Sequence, residues 1–598
     1  MRFLLLILLF CFQSIQLSAQ TNNYSISFDN AVHHEAVISA TFKDISTDTL
    51  TLRMSRTSPG RYALHEFAKN VYNFTAFDSK GNSLKITREN PYEWKVSGHD
   101  GQVNIKYTLF ANRGDGTYSQ IDETHAHLNI PATFMYAPTL NERPIDVNFS
   151  IREDLGWKVA TQLPHVKGNT YSAPNLYYFM DSPTELSNHK VREINIDGQT
   201  VKFALHDPGT EDEADTYFEK VKKVVIAEKE VFGALPKFDY GLYTFLACYI
   251  PNASGDGMEH RNSTILTSTR TLANGGMEGN IGTVSHEFFH SWNVERIRPK
   301  TLEPFNFEEA NMSGELWFAE GFTSYYTNLI LCRVGLISPE KYVEGLTGTF
   351  NYVWNSPARQ FFNPIEMSYQ APFVDAATSV DPVNRENTFI SYYSYGSVLG
   401  LALDLSLREK GLNLDDYMKH VWKTYGKTEK PYTIENLNQS LNQYAGEEFG
   451  HNFFNNYIHK SDMPKYNELF SSVGIVLSQD DNAAYFGAAV SITDDLNGKI
   501  QSNTKIGSPA YKAGLDKDDV ITSINGKPFP NGIQFEAFVK KFKPNDMLSV
   551  TYLSDGQEKN TEVILESDPS YAISLQEKNG DKLSKKVLKE RKDWLKIE

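Results

Sequence analysis

The hydrophobic period of the chain changes near Glu211, and that change divides what the sequence can build. Upstream, apolar and polar side chains alternate in short runs: Tyr24-Ser25-Ile26-Ser27-Phe28, Ala36 to Phe42, Val103 to Tyr107. A period of two puts alternate side chains on one face of a strand. Turn sequences such as Ser79-Lys80-Gly81-Asn82 separate the runs. Residues 20–200 are therefore predicted to form a β-sandwich-like domain. Downstream, Tyr217, Val221, Val224, Val225 and Phe232 recur at helical spacing. Helical stretches at 281–293, 313–333 and 394–410 dominate a second domain, 201–466. Strand-like runs return between 467 and 570, among them Gly487 to Ile492, Asp519 to Ile524 and Leu548 to Leu553. Three domains suit a chain of 598 residues, too long for one core. Residues 571–598, rich in Lys, Asp and Glu, read as a solvated helix or a disordered tail.

Residues 1–19 have the three-part layout of a secretory signal peptide: Arg2, an apolar run from Phe3 to Phe12, and small residues near Ala19. The run is too short to cross a bilayer as a helix. A retained anchor is the alternative, and Cys11, preceded by the bulky Phe10, is a poor lipoprotein signal. Export to the periplasm or outside the cell is expected, with no transmembrane segment in the mature chain. The net charge of −16 argues against a nucleic-acid surface, which needs clustered Lys and Arg. Beyond Cys11 the cysteines are Cys248 and Cys332. Both sit in apolar sequence, read as buried free thiols or a single disulfide, and lack metal-ligand spacing.

The chemistry concentrates in His286-Glu287-Phe288-Phe289-His290. On a helix, residues four apart share a face, so both imidazoles can reach one ion. Glu287 then stands beside the ion without binding it, placed to take a proton from water that zinc activates. A catalytic zinc needs a third protein ligand. Glu320 is the candidate, an acid inside the aromatic stretch Leu316 to Tyr326 where an unpaired carboxylate is costly. Glu295, Glu303, Glu308, Glu309 and Glu315 compete from loop-like or exposed sequence. Thr323 and Ser324, one turn after Glu320, are candidates to support the ligands, against a reading as ordinary helix-surface hydroxyls.

Two further stretches carry a peptidase reading toward an aminopeptidase. Gly257-Met258-Glu259-His260 offers a carboxylate that can anchor a cationic α-amino group, and a surface acid is the bland alternative. Ser391-Tyr392-Tyr393-Ser394-Tyr395-Gly396 opens an amphipathic helix and offers phenols that can donate to an oxyanion, or that simply fill a core.

These motifs, in this order, resemble the glycyl aminopeptidase family of bacterial metallopeptidases that end in a PDZ domain. The resemblance rests on Gly257 to Thr264, on His286 to Pro299 and on Leu316 to Gly321, and Ser58-Pro59-Gly60-Arg61-Tyr62 fits it too. It implies a gluzincin with a thermolysin-like, mostly α catalytic domain and one zinc per chain. It implies removal of N-terminal residues, small ones such as Gly or Ala favoured, from peptide or protein substrates. It assigns His286, His290 and Glu320 as ligands and Glu287 as base. Glu259, with Gly257 and Met258, would hold the amino end, and Tyr393 would donate in the transition state. Asp256 stands where the family has Gly, and Tyr395 where it has Lys. The C-terminal stretches Gly507 to Leu515 and Asp519 to Gly526 look like a PDZ module, a β/α domain that captures peptides or C-termini at a sheet edge. Phe486-Gly487-Ala488 would be its carboxylate loop, and a rigid-lid role is the rival. A zinc endopeptidase, or a PDZ-based scaffold with a vestigial peptidase domain, are the alternatives to an aminopeptidase.

Overall fold

A computed structural model describes residues 20–376, 381–530, 532–580 and 582–597. The expected signal segment, with Cys11, lies outside the described residues. The three-part architecture is present: a β-rich N-terminal domain, a mostly helical central domain, and a C-terminal module of strands and short helices.

The N-terminal domain contains a seven-stranded, a four-stranded and a three-stranded sheet. The alternation read from the sequence becomes inward and outward facing side chains along Glu35–Phe42 and Val103–Phe110, which pair antiparallel. Tyr24, Ile38, Phe42, Trp94, Phe134 and Phe149 share one core there. At the far side, Gln120–Ile121, His125–Leu128, Thr184–Ser187 and Lys158–Thr161 form the four-stranded sheet, which lies next to the catalytic domain.

The catalytic domain opens on a five-stranded mixed sheet, ordered Lys190–Ile196, Gln199–His206, Leu242–Tyr249, Ser263–Ser268, Asp256–His260. The boundary expected at 200 cuts the first hairpin of this sheet. Asp197 and Gly198 both have positive φ, the two-residue turn that joins tightly twisted strands. The helix Glu211–Phe232 follows, its first turn closed by reciprocal bonds between Thr210 and Glu213. It packs on the buried helix Ile281–Phe289, which in turn meets Gly321–Arg333. Tyr392–Glu409 lies against that last helix so closely that a Cβ on Gly321 or Gly396 would strike the partner's backbone.

The C-terminal module has its own core around Phe486, Leu515, Ile521, Phe535 and Val550. It is tied to the catalytic domain through Asn387, which donates to the Thr504 carbonyl at 3.0 Å and accepts from the Ile506 amide at 2.7 Å. The expected solvated tail is corrected by the structure. Tyr571–Leu575 pairs with Ile475–Gln479, and Ile475, Ile573, Leu575, Trp594 and Leu595 belong to the catalytic core. The helix Lys585–Leu595 turns one apolar stripe inward: Trp594 is fully buried and donates to the Tyr325 hydroxyl at 2.9 Å. Most of its charged residues face away; Arg591 is buried with the stripe and donates to the Val473 and Gly474 carbonyls, and the composition of the segment hid the stripe. No described helix is long and apolar enough to cross a membrane.

Candidate metal centre and peptide site

The helix Ile281–Phe289 presents Val284 and Phe288 to the sheet, where Phe288 packs on Tyr243 and Phe245. Its opposite edge carries His286, and His290 follows at the helix end. The outer ring nitrogen of each imidazole is occupied. Thr327 donates its hydroxyl hydrogen to the Thr323 carbonyl, so its oxygen accepts from His286 Nδ1 at 3.2 Å. His290 Nδ1 donates to the Asn293 carbonyl at 2.5 Å. Both Nε2 atoms are thereby left as lone pairs, 3.2 Å apart.

Glu320, at the junction of Leu316–Ala319 and Gly321–Arg333, points its Oε2 into the same space, 3.5 Å from His286 Nε2 and 3.1 Å from His290 Nε2. That oxygen is buried without a hydrogen-bond donor. Three lone-pair atoms do not converge in a buried site without a cation to hold them. Tetrahedral zinc places such ligand atoms about 3.3–3.4 Å apart, close to the three separations found. The residues fit a metal ion. Glu320 Oε1 accepts from the Tyr62 hydroxyl at 3.0 Å.

Of the expected supports, Thr323 serves differently. It bonds the Ala319 carbonyl and the Asn293 amide rather than an imidazole. The hydroxyl that orients His286 is Thr327, one turn further on, because the Nδ1 edge of the ring faces that turn. Glu303 and Glu315 are engaged elsewhere, with Arg298 and Ser313. Asn293, Thr327 and Tyr62 are site residues that the sequence reading missed.

Glu287 is buried with its Oε2 unpartnered, and one atom each of Glu259, Glu287 and His290 lies within 4.8 Å of the others. Burial, with His290 opposing and the charges of Glu259 and Glu320 adding, pushes the Glu287 carboxyl well up. Gly257 faces Glu287 so closely that a Cβ would collide with its Oε1. Met258 is buried and adjoins Glu259 on the edge strand Asp256–His260. The loop Ser58–Tyr62 of the N-terminal domain covers this strand. Gly60, at φ +78°, approaches Glu259 where a side chain would clash with Met258. Arg61 pairs with Asp256 and bonds Thr117 at 2.6 Å, so Asp256 is neutralised where it stands.

Tyr393 stands beside His286, ring centroids 5.9 Å apart. A cavity of about 550 Å³ opens from these two residues along Ser324, Thr327, Ser397 and Phe350. Tyr395, two residues further along the helix, is fully buried in the core.

Three family models match the chain. The Peptidase M61 N-terminal domain model matches residues 23–188, the M61 glycyl aminopeptidase model residues 279–399, and a PDZ domain model residues 475–565. The chain belongs to the M61 glycyl aminopeptidase family. Membership makes it a metallopeptidase of the aminopeptidase class, with the His286–His290–Glu320 cluster inside the matched catalytic segment. The M61 fold extends to a solved structure of an aminopeptidase N family protein from Idiomarina loihiensis, at TM-score 0.83 and 23% identity over 96% of this chain and all of that one. An M1 zinc metallopeptidase from Deinococcus radiodurans aligns at TM-score 0.42 and 11% identity, over 75% of this chain and 95% of that one. Legionella pneumophila aminopeptidase A, in complex with aspartic acid, aligns at the same score and identity over 93% of this chain and 57% of that one. Comparison with curated proteins gives no match.

Proposed function

We propose that the protein is an exported zinc aminopeptidase that removes N-terminal residues from peptides, small ones such as Gly or Ala favoured. The observation that most supports it is the Glu259 carboxylate. It is 8% exposed beside the base and the metal cluster, and among the described residues it forms no ion pair with a Lys or Arg. A buried, uncompensated carboxylate is costly, and the ammonium of a peptide N-terminus neutralises it. Held there, a substrate has its first peptide bond beside Glu287. Gly60 and Met258 pack closely together beside Glu259, which favours a small first side chain there.

His286, His290 and Glu320 hold the zinc, one ion per chain. The ion, when bound, supplies Lewis-acid polarisation of the scissile carbonyl and lowers the pKa of water. Glu287 removes a proton from the attacking water as its oxygen bonds the carbonyl carbon, and returns that proton to the departing amine nitrogen as the C–N bond breaks. The Tyr393 hydroxyl donates to the carbonyl oxygen as negative charge develops there. The PDZ-like module recruits extended peptides or C-termini, while its bonds through Asn387 favour a fixed seat over a freely swinging one.

The test is hydrolysis of matched peptides with free and acetylated N-termini, with and without zinc. An aminopeptidase cuts the free peptides in the presence of zinc and leaves the acetylated ones. Comparable cleavage of both makes it an endopeptidase, and cleavage of neither by zinc-loaded protein supports a scaffold.

A further inference from the structure

A second cluster of metal-binding side chains lies away from the catalytic centre, where the N-terminal domain meets the catalytic sheet. His125 and Glu185 come from neighbouring strands of the four-stranded sheet, and His206 and Cys248 from neighbouring strands of the catalytic sheet. One ligand atom from each lies within 4.8 Å of all the others. His125, Glu185 and Cys248 are fully buried.

The separations have the size of a coordination shell. His125 Nδ1 is 3.6 Å from Cys248 Sγ and 3.3 Å from Glu185 Oε1. Zinc bound tetrahedrally by a thiolate, an imidazole and a carboxylate sets these edges at about 3.6 and about 3.4 Å. A single Nδ1–H cannot satisfy both neighbours, and the buried Nε2 atoms of His125 and His206 have no hydrogen-bond partner. The His206 ring stacks on His125, centroids 5.0 Å apart.

The groups behind the cluster are placed as supports for ligands. Glu185 Oε2 is held by His127 Nδ1 at 3.2 Å, and the other nitrogen of His127 meets the Asp115 carbonyl at 3.0 Å. Asp122 Oδ2 stands 3.8 Å from His125 Nε2. Metal-bound imidazoles and carboxylates are characteristically fixed by such outer partners.

We propose that His125, Glu185, His206 and Cys248 form a structural site for a zinc-type divalent cation that clamps the N-terminal domain onto the catalytic sheet. Binding displaces the Cys248 proton to solvent and closes the site with four protein ligands, leaving no open position for chemistry. The clamp also steadies the active site. Through His127 it grips Asp115, and the next residue, Gly116, bonds Asp256 Oδ2 at 3.0 Å at the head of the strand that carries Glu259.

The experiment is cobalt(II) reconstitution of the metal-free full-length protein, read by metal content and absorption. A catalytic site of two imidazoles and a carboxylate gives no thiolate-to-cobalt charge-transfer band, so that band reports a thiolate ligand, which its loss in Cys248→Ala assigns to Cys248. The wild type should bind a second cobalt per chain and show the band. Cys248→Ala should lose the band and one cobalt, and His286→Ala/His290→Ala should keep the band and lose the other. The zinc-loaded wild type should also melt higher than Cys248→Ala loaded in the same way. A wild-type spectrum without the thiolate band, or a single cobalt lost entirely in His286→Ala/His290→Ala, overturns the proposal. The spectrum is read on the wild type, so a variant that fails to fold does not shield it. A failed catalytic reading shows separately, as a His286→Ala/His290→Ala protein that binds as much cobalt as the wild type.

Discussion

Tyr62 of the N-terminal domain donates its hydroxyl to Oε1 of Glu320 at 3.0 Å, across 258 positions of chain. The β-domain thus contributes to the candidate metal centre of the helical domain instead of merely flanking it. Removing the phenol strips Glu320 of a buried donor. Tyr62→Phe should lower zinc affinity by roughly 10–100-fold, the usual cost of an outer partner. Competition with a chromophoric chelator measures it, and an unchanged dissociation constant would show that Glu320 needs no such support.

Thr327 holds His286 in the tautomer that frees Nε2. Thr327→Val keeps the shape and removes the acceptor, so zinc should again bind more weakly by roughly 10-fold or more. Thr323→Val should act mainly through the Asn293 contact, with a smaller loss. Equal effects would contradict the distinction between the two hydroxyls.

Gly257 has room for hydrogen only, because a methyl group would strike Glu287 Oε1. Gly257→Ala should shift the base and cost about 100-fold in kcat, the scale of an ångström-sized misplacement. Metal content should stay at the wild-type level. Loss of zinc in this variant would mean that the strand carries the ligands' geometry rather than the base's.

The convergence of His286, His290 and Glu320 was legible in the sequence because its logic is local. His286 and His290 lie four apart, and Glu320 is an acid among buried aromatics. The partners of those ligands were less legible. Thr323 and Ser324 lie nearest Glu320 in sequence, yet the imidazole edge faces Thr327, and only the helix's rotation decides which hydroxyl it meets. Cys248 shows the limit most clearly. Its spacing to Cys332 excludes a metal motif, while its neighbours His125, Glu185 and His206 come from three other strands. The tail misled through composition, since a few inward side chains, Trp594 chief among them, dock a helix most of whose other residues are charged.

That docked helix changes what truncation can report. Trp594→Ala should destabilise the catalytic domain by about 3–5 kcal/mol, the cost of emptying a fully buried indole site. A chain ended near 466 would uncover the same core, which includes Ile475, Ile573 and Leu575. Thermal melting followed by circular dichroism checks both. An unshifted transition would show that the tail helix is not part of the catalytic fold.

In the proposed function Glu259 reads the free amino group of the substrate, and Glu259→Gln tests this role most directly. The measurement is the ratio of kcat/KM for a free peptide to that for its acetylated counterpart, before and after substitution, with zinc content determined alongside. Removing a charged partner in a shielded site should cost the free peptide roughly 10–1000-fold, leave the acetylated peptide's slow cleavage nearly unchanged, and so collapse the ratio while zinc is retained. If Glu259→Gln slows both peptides equally, or if the wild-type protein already cuts the acetylated peptide as well as the free one, Glu259 is not the amino anchor and the protein is not an aminopeptidase by this device.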